Sequence, residues 1–242
     1  MHSGQLAAER FPRAKYSIDF GDEAILSAWE AVRSLILSST QRDGLGALLP
    51  NGRRLKPRSI QTALLARHAS VRLPLLISST RECDVDQALE AAVSLIGAGP
   101  GLTPSWDDLL VGYICGLRAT LTVEDWNRSL FLDQFGRATH QASSGTTDVS
   151  RRYIERTARG EGPAWIEHVL DAIAWGNVTA AQHAARYAMS IGTTSGTDMM
   201  LGAVLGSSVW QPGEPADALL AAMSCQGLSV LGPRSSQNYA AR

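Results

Sequence analysis

Apolar residues recur at three- and four-residue spacing along most of the chain, and the elements this pattern predicts are helices. Over residues 22–38, Ile25, Trp29, Val32, Leu35 and Ile36 fall on one face. Residues 59–68 and 84–95 repeat the pattern. Past a glycine-rich break, residues 105–120 carry an apolar run from 109 to 117 that covers most sides, so this helix has to be central and buried. Further helices are predicted over 122–142, with Thr122 and Asp125 as start signals, and over 147–159 from Thr147. Others follow over 164–175, from Thr179 to 191, from Ser195 or Thr197 through 209 and, after Gln211-Pro212-Gly213, over 215–223. Residues 42–57, with Gly44, Gly46, Pro50, Asn51, Gly52 and Pro57, read as a loop with a hairpin at Asn51-Gly52. Residues 72–79, containing Pro74, read as a short strand on the N-terminal side. The expected fold is mainly α: a single multi-helix domain over 18–210, with glycine-rich loops at helix N-termini and that one minor β element. Residues 211–242 follow as a short helix and a flexible tail, and residues 1–17 show no periodicity. No βαβ alternation is present, which argues against a doubly wound nucleotide fold.

Two of the breaks share a template. Residues 97–112 read GAGPGLTPSWDDLLVG and residues 191–202 read IGTTSGTDMMLG, so that Thr103 matches Thr193, Ser105 matches Ser195, Asp108 matches Asp198 and Gly112 matches Gly202. A third polar cluster, SSGTTDVS, lies between them at 143–150. Gly99 and Gly101 allow close backbone approach to a ligand, Ser105 stands where an N-cap belongs, and Asp107 and Asp108 fall in the first helical turn. Helix-start N–H groups attract anions, but two carboxylates there largely cancel that attraction. Either Mg²⁺ sits between the acids and an anionic ligand, or the ligand brings N–H donors, as a carbamoyl, amide or ureido group does. The residues leave both open. Capping alone would account for Ser105 and each acid singly, at about 1 kcal/mol of helix stability, but it requires neither the glycines nor the repeat. Thr146, Thr147 and Ser150, with Arg151 and Arg152, offer hydroxyls and a guanidinium for a carboxylate or phosphate. A solvated helix end explains that third cluster equally well.

Composition narrows the classes. At 242 residues, 45% hydrophobic and 19% charged, the chain can bury a sizeable core, and a formal charge of -1 without a basic run argues against nucleic acid as a partner. Lys15 and Lys56 are its only lysines. None follows the glycine-rich loop, so a Walker-type phosphate site is absent, as is a G-x-S-x-G elbow. Cys83, Cys115 and Cys225 are far apart and without metal-ligand spacing. His68, His140, His168 and His183 have no obvious catalytic partner. Trp106, inside the first template loop, is placed to wall a pocket, whereas the other tryptophans read as core. With no leader-like N-terminus and no apolar run of about 18 residues, the expected location is the cytoplasm, away from membranes.

GAGPGLTPSWDDLLVG, TTDVSRRYI and IGTTSGTDMMLGA resemble, in order and approximate spacing, three signature segments of the AllH-like family, formerly a domain of unknown function. The resemblance covers about residues 84–210. It implies a subunit of an oxamate carbamoyltransferase of allantoin breakdown, taking part with partner subunits in carbamoyl transfer between carbamoyl phosphate and oxamate. It implies a cradle of Gly99, Gly101, Thr103 and Ser105, joined by Thr193, Thr194 and Ser195. Asp107, Asp108 and Asp198 would orient an N–H-bearing group or a metal, and Thr147, Ser150 and Arg151 would receive the anionic end. Trp106 departs from the family's usual Gly between the Ser and the Asp pair, and the N-terminal region reads short. A ligand-binding or assembly subunit without its own chemistry is the alternative, and an ATP-dependent phosphotransferase a third.

Overall fold

The computed structural model describes residues 17–54 and 56–224. Among them are eleven α-helices, two 3₁₀ turns and no strand. Two helices form the centre: α5 (Ser105–Ala119), buried along its whole length, and α10 (Ser195–Gly206), buried from Gly196 onward. They run side by side with their N-termini together, the hydroxyls of Thr103 and Ser195 lying 2.8 Å apart.

Glycine is what lets this pair close. A Cβ on Gly112 would stand 1.9 Å from the Met199 carbonyl oxygen, and one on Gly202 would stand 2.0 Å from that of Leu109. One turn on, Gly116 meets the Ala203 carbonyl at 2.3 Å and Gly206 meets that of Tyr113 at 2.2 Å. No side chain fits at any of the four. The contacts are reciprocal, since Leu109, Gly112, Tyr113 and Gly116 each have their counterpart ninety positions later. The two template segments are thus related by an approximate two-fold axis along the pair, with both loops at one end.

The other helices wrap this pair. In chain order they are α1 (Glu23–Leu37), α2 (Pro50–Arg54), α3 (Ile60–Arg81), α4 (Val85–Val93), α6 (Trp126–Ala142), α7 (Asp148–Ala158), α8 (Ala164–Ala174), α9 (Val178–Met189) and α11 (Pro215–Ser224). α1 starts at its Asp22 cap, packs on α8, α9 and α10, and its Trp29 indole N–H donates to Ser207 Oγ at 3.0 Å. α6, α7 and α8 cover α5. α3 packs on α4, on α11 and on the 3₁₀ turn Gly44–Leu48. At its far end Tyr113 Oη and Thr80 Oγ1 lie 2.8 Å apart, tying α5 to α3.

Several expectations are corrected. Residues 72–79 are not a strand but the second half of α3: Leu65, Ala66, Ala69, Leu73, Leu76 and Ile77 form one continuous buried face at helical spacing. Pro74 sits on the opposite, exposed side, where the carbonyl it leaves without an N–H partner can meet water. Residues 42–57 are not a loop with a hairpin. They hold the 3₁₀ turn and α2, with Asn51 and Gly52 helical, because Leu45, Leu48 and Leu49 are buried there. At the start of α6 Asp125 takes the cap position with its carboxyl accepting from the Thr122 N–H and hydroxyl, and α9 starts earlier than expected, capped by Asn177 rather than begun at Thr179. The tail after Ser224, with Cys225, and residues 1–16 lie outside the described residues. No helix among the described residues is long and apolar enough to cross a membrane.

Candidate functional site

Pro104 takes the cap position of α5 and Thr194 that of α10, neither with a side-chain cap bond, so Ser105 and Ser195 are the first helical residues rather than caps. Their hydroxyls are turned instead to the space between the two helix starts. That space is where Asp108 and Asp198 arrive, each three residues into its helix.

The three polar turns predicted from the sequence do meet. Thr103 joins the first to the second through Ser195. Asp107 joins the first to the third: one carboxyl oxygen accepts the Gly97 N–H at 2.9 Å, and the other accepts the hydroxyls of Ser150, at 2.7 Å, and Thr146. Thr147 donates to the Leu102 carbonyl and, through the same oxygen, caps α7 by accepting the Ser150 N–H at 3.1 Å. Thr193 is exposed, its carbonyl accepting from Gln41 Nε2 at 2.6 Å. Arg151 is not brought in. It lies on the exposed face of α7, with no ion-pair partner among the described residues. Trp106 takes a core position, fully buried against α4 with its indole N–H on the Ala92 carbonyl at 2.7 Å.

A fourth segment completes the cluster. The Leu45 N–H donates to Asp198 Oδ1 at 2.8 Å, and the Gly46 N–H also bears on that carboxyl. Gly44, at φ +58°, lies so close that a Cβ would stand 2.5 Å from Asp198 Oδ2 and 2.7 Å from Ser105 Oγ. Sequence reasoning treated these glycines as breakers only. The pattern Gly-Leu-Gly before a buried Leu-Leu pair was the available signal, and nothing in it points to a residue 150 positions away. Gly99, at φ +126°, approaches as closely on the first loop, where a Cβ would stand 2.5 Å from the Ser105 amide nitrogen.

The interior of the cluster is sealed. Ser105, Asp107 and Asp198 expose 0% of their surface and Asp108 2%. Within it Ser105 Oγ, Asp108 Oδ2 and Asp198 Oδ2 have no hydrogen-bond partner, although the hydroxyls of Ser195 and Thr103 stand near Asp108 and those of Ser105 and Thr194 near Asp198. Burial pushes Asp108 up to about 8, with Asp198 adding to the rise and the nearby hydroxyls opposing it. Burial likewise pushes Asp198 up to about 7, opposed by the nearby hydroxyls of Ser105 and Thr194 and by the N–H groups of Leu45 and Gly46. Asp107 is raised by the same cause, opposed by Thr146, Gly97 and Ser150. Burial therefore works against the expected pair of full negative charges at the start of α5, since it raises both Asp107 and Asp108, and it raises Asp198 at the start of α10 as well. Among the described residues no group of three or more His, Cys, Asp or Glu side chains is placed to hold a metal ion.

These features define a class: a mainly α protein built on a glycine-faced parallel helix pair whose joined N-termini enclose two buried carboxyls. Residues 95–207 match the family model described as oxamate carbamoyltransferase subunit AllH, so the resemblance carried by the three motifs holds for that segment. The match runs from just before the first template loop to the end of α10 and leaves out the Gly44–Leu48 turn that closes the cluster. No solved structure matches the chain.

Proposed function

We propose that the chain is a subunit of an oxamate carbamoyltransferase-like enzyme. In this reading it seats a small carboxylate bearing an amide or ureido group, or carbamoyl phosphate, between the starts of α5 and α10. The observation that carries the reading is the buried trio of Ser105 Oγ, Asp108 Oδ2 and Asp198 Oδ2, unpartnered within a segment that matches the AllH family. Buried polar atoms without partners are costly, and a ligand that satisfies them would recover part of that cost.

In the reaction so assigned, the oxamate amide nitrogen attacks the carbamoyl carbon, the C–N bond forms, the C–O bond to phosphate breaks, and the nitrogen sheds a proton. Asp198, partly ionised, accepts that N–H. Asp108, still protonated, donates to an oxygen of the carbamoyl or phosphate group. The N–H groups at the helix starts offset charge on the departing phosphate. Of the two ligands left open by the sequence, this reading takes the N–H-bearing one rather than Mg²⁺. Both Asp107 oxygens already accept donors from the protein, and Asp108 and Asp198, raised by burial to about 8 and about 7, would have to give up protons to hold a hard cation. Entry requires the Gly99–Gly101 loop to move, and both glycines sit at positive φ outside regular structure.

A ligand-binding or assembly role without turnover is favoured by a different observation: the carboxyls are sealed, and the hydroxyls of Thr146, Thr147 and Ser150 are occupied within the protein. Phosphate release from carbamoyl phosphate and oxamate by the purified chain separates the two. Turnover that falls at least about tenfold in Asp198→Asn supports the enzyme reading. Binding of oxamate by calorimetry without turnover supports the second, and no binding of either compound to the wild type, alone or with its partner subunits, removes both.

A further inference from the structure

The outward face of α3 belongs to no site described so far. Ile60, Leu64, Val71 and Leu75 are 80%, 48%, 60% and 45% exposed. Their spacing places them, with His68 between, on a single stripe about four turns long, the seam by which one helix receives another. The opposite face of α3 is buried against α4, α11 and the Gly44–Leu48 turn, so the stripe is not the helix's own core face.

Charge selects what fits it. From Ile60 to Arg81 the helix carries Arg67, His68, Arg72 and Arg81 and no acid. Arg81 is engaged by Asp217, and Arg72 lies 3.8 Å from Glu90 of α4. Arg67, exposed beside the stripe, has no ion-pair partner among the described residues. Arg67, near the middle of the stripe, is thus the cation of α3 left unpaired among the described residues, and a second copy of this chain laid antiparallel would set it against its own counterpart, which opposes pairing.

We infer that α3 is a docking face for an amphipathic helix of a different protein, with apolar residues along its seam and Asp or Glu on its flanks. The identification of that protein as a partner subunit rests on the proposed function; the surface and its charge preference do not. α3 packs on the very turn that donates to Asp198, so α3 and that turn alone separate a helix seated here from the carboxyl cluster.

The test uses the full chain and two labelled synthetic helical peptides that share a leucine seam, one flanked by Glu and the other by Lys, followed by fluorescence anisotropy. The Glu-flanked peptide is expected to bind at least about tenfold tighter than the Lys-flanked one. Val71→Glu should weaken it about tenfold or more, and Arg67→Glu should shrink or reverse the preference. Both substitutions are at exposed positions, and unchanged circular dichroism confirms the fold. Equal binding of the two peptides, no binding, or indifference to Val71→Glu overturns the inference. So does self-association of the wild-type chain in light scattering that Val71→Glu abolishes, which would make the face a homodimer seam. Binding to phosphatidylserine–phosphatidylcholine vesicles without binding of the Glu-flanked peptide would make it a membrane face. Val71→Glu should leave phosphate release and oxamate binding by the chain alone unchanged. Loss of the proposed enzyme reading with peptide discrimination intact therefore leaves the docking face standing.

Discussion

Gly44 shows how much one residue can decide. Its positive φ is one that residues with a Cβ adopt only with strain, and the space a Cβ would take is bounded by the carboxyl of Asp198 and the hydroxyl of Ser105. Gly44→Ala is expected to cost about 1–3 kcal/mol of stability, read as a lower urea midpoint, and in the proposed reading to abolish oxamate binding. An alanine variant as stable as the wild type would show that the turn can back away from Asp198. Asp107 teaches the reverse lesson. Beside Asp108 the sequence reads it as a second ligand-facing acid, yet both its oxygens are occupied in tying Gly97, Thr146 and Ser150 together. Which neighbour of a DD pair faces inward is set by the turn of the helix relative to three loops, a relation the dipeptide does not contain.

At the scale of elements, α5 and α10 are held by approach rather than by side-chain volume. Gly112→Ala and Gly202→Ala each place a methyl about 2 Å from a carbonyl oxygen of the facing helix, so each is expected to cost about 3 kcal/mol or more, read by chemical denaturation. The two losses should be similar, because the contacts are reciprocal. A large loss at one position with none at the other would show that the approximate two-fold relation is not an energetic one. Half of this was legible: the repeat gave Gly112 and Gly202 as matched positions, and the apolar run gave α5 as central. The parallel pairing was not, since matched motifs fit either one ligand or a bare duplication. α3 was legible over its first half and misread over its second, where Pro74 outweighed the 3.6-residue spacing of Leu73, Leu76 and Ile77.

For the whole molecule the buried acids set a pH dependence of unusual sign. Asp108 and Asp198 bind protons more tightly folded than unfolded, about 8 and about 7 against an ordinary 3.8. The folded state therefore holds more protons from about pH 4 to 8. The stability these groups contribute is full below the unfolded value and is lost as pH rises through the folded ones. Melting temperature is expected to fall between pH 5 and 8. Asp108→Asn and Asp198→Asn, which stay neutral, should gain on the wild type over that span by a few kcal/mol each, on the order of 3, with the larger gain at Asp108. A stability difference between variant and wild type that stays constant with pH would mean that the carboxyls ionise freely. The sequence by itself determined the helical class, the order of most helices and the three motifs whose likeness to the AllH family the match over residues 95–207 supports, because periodicity and short motifs are written in contiguous residues. Only the tertiary structure decided that the acids are desolvated and so biased toward their neutral forms, that residues 44–46 close over them, and that α3 shows an apolar stripe outward. Solvation and charge state depend on which distant segments pack together, and no local run of residues encodes that.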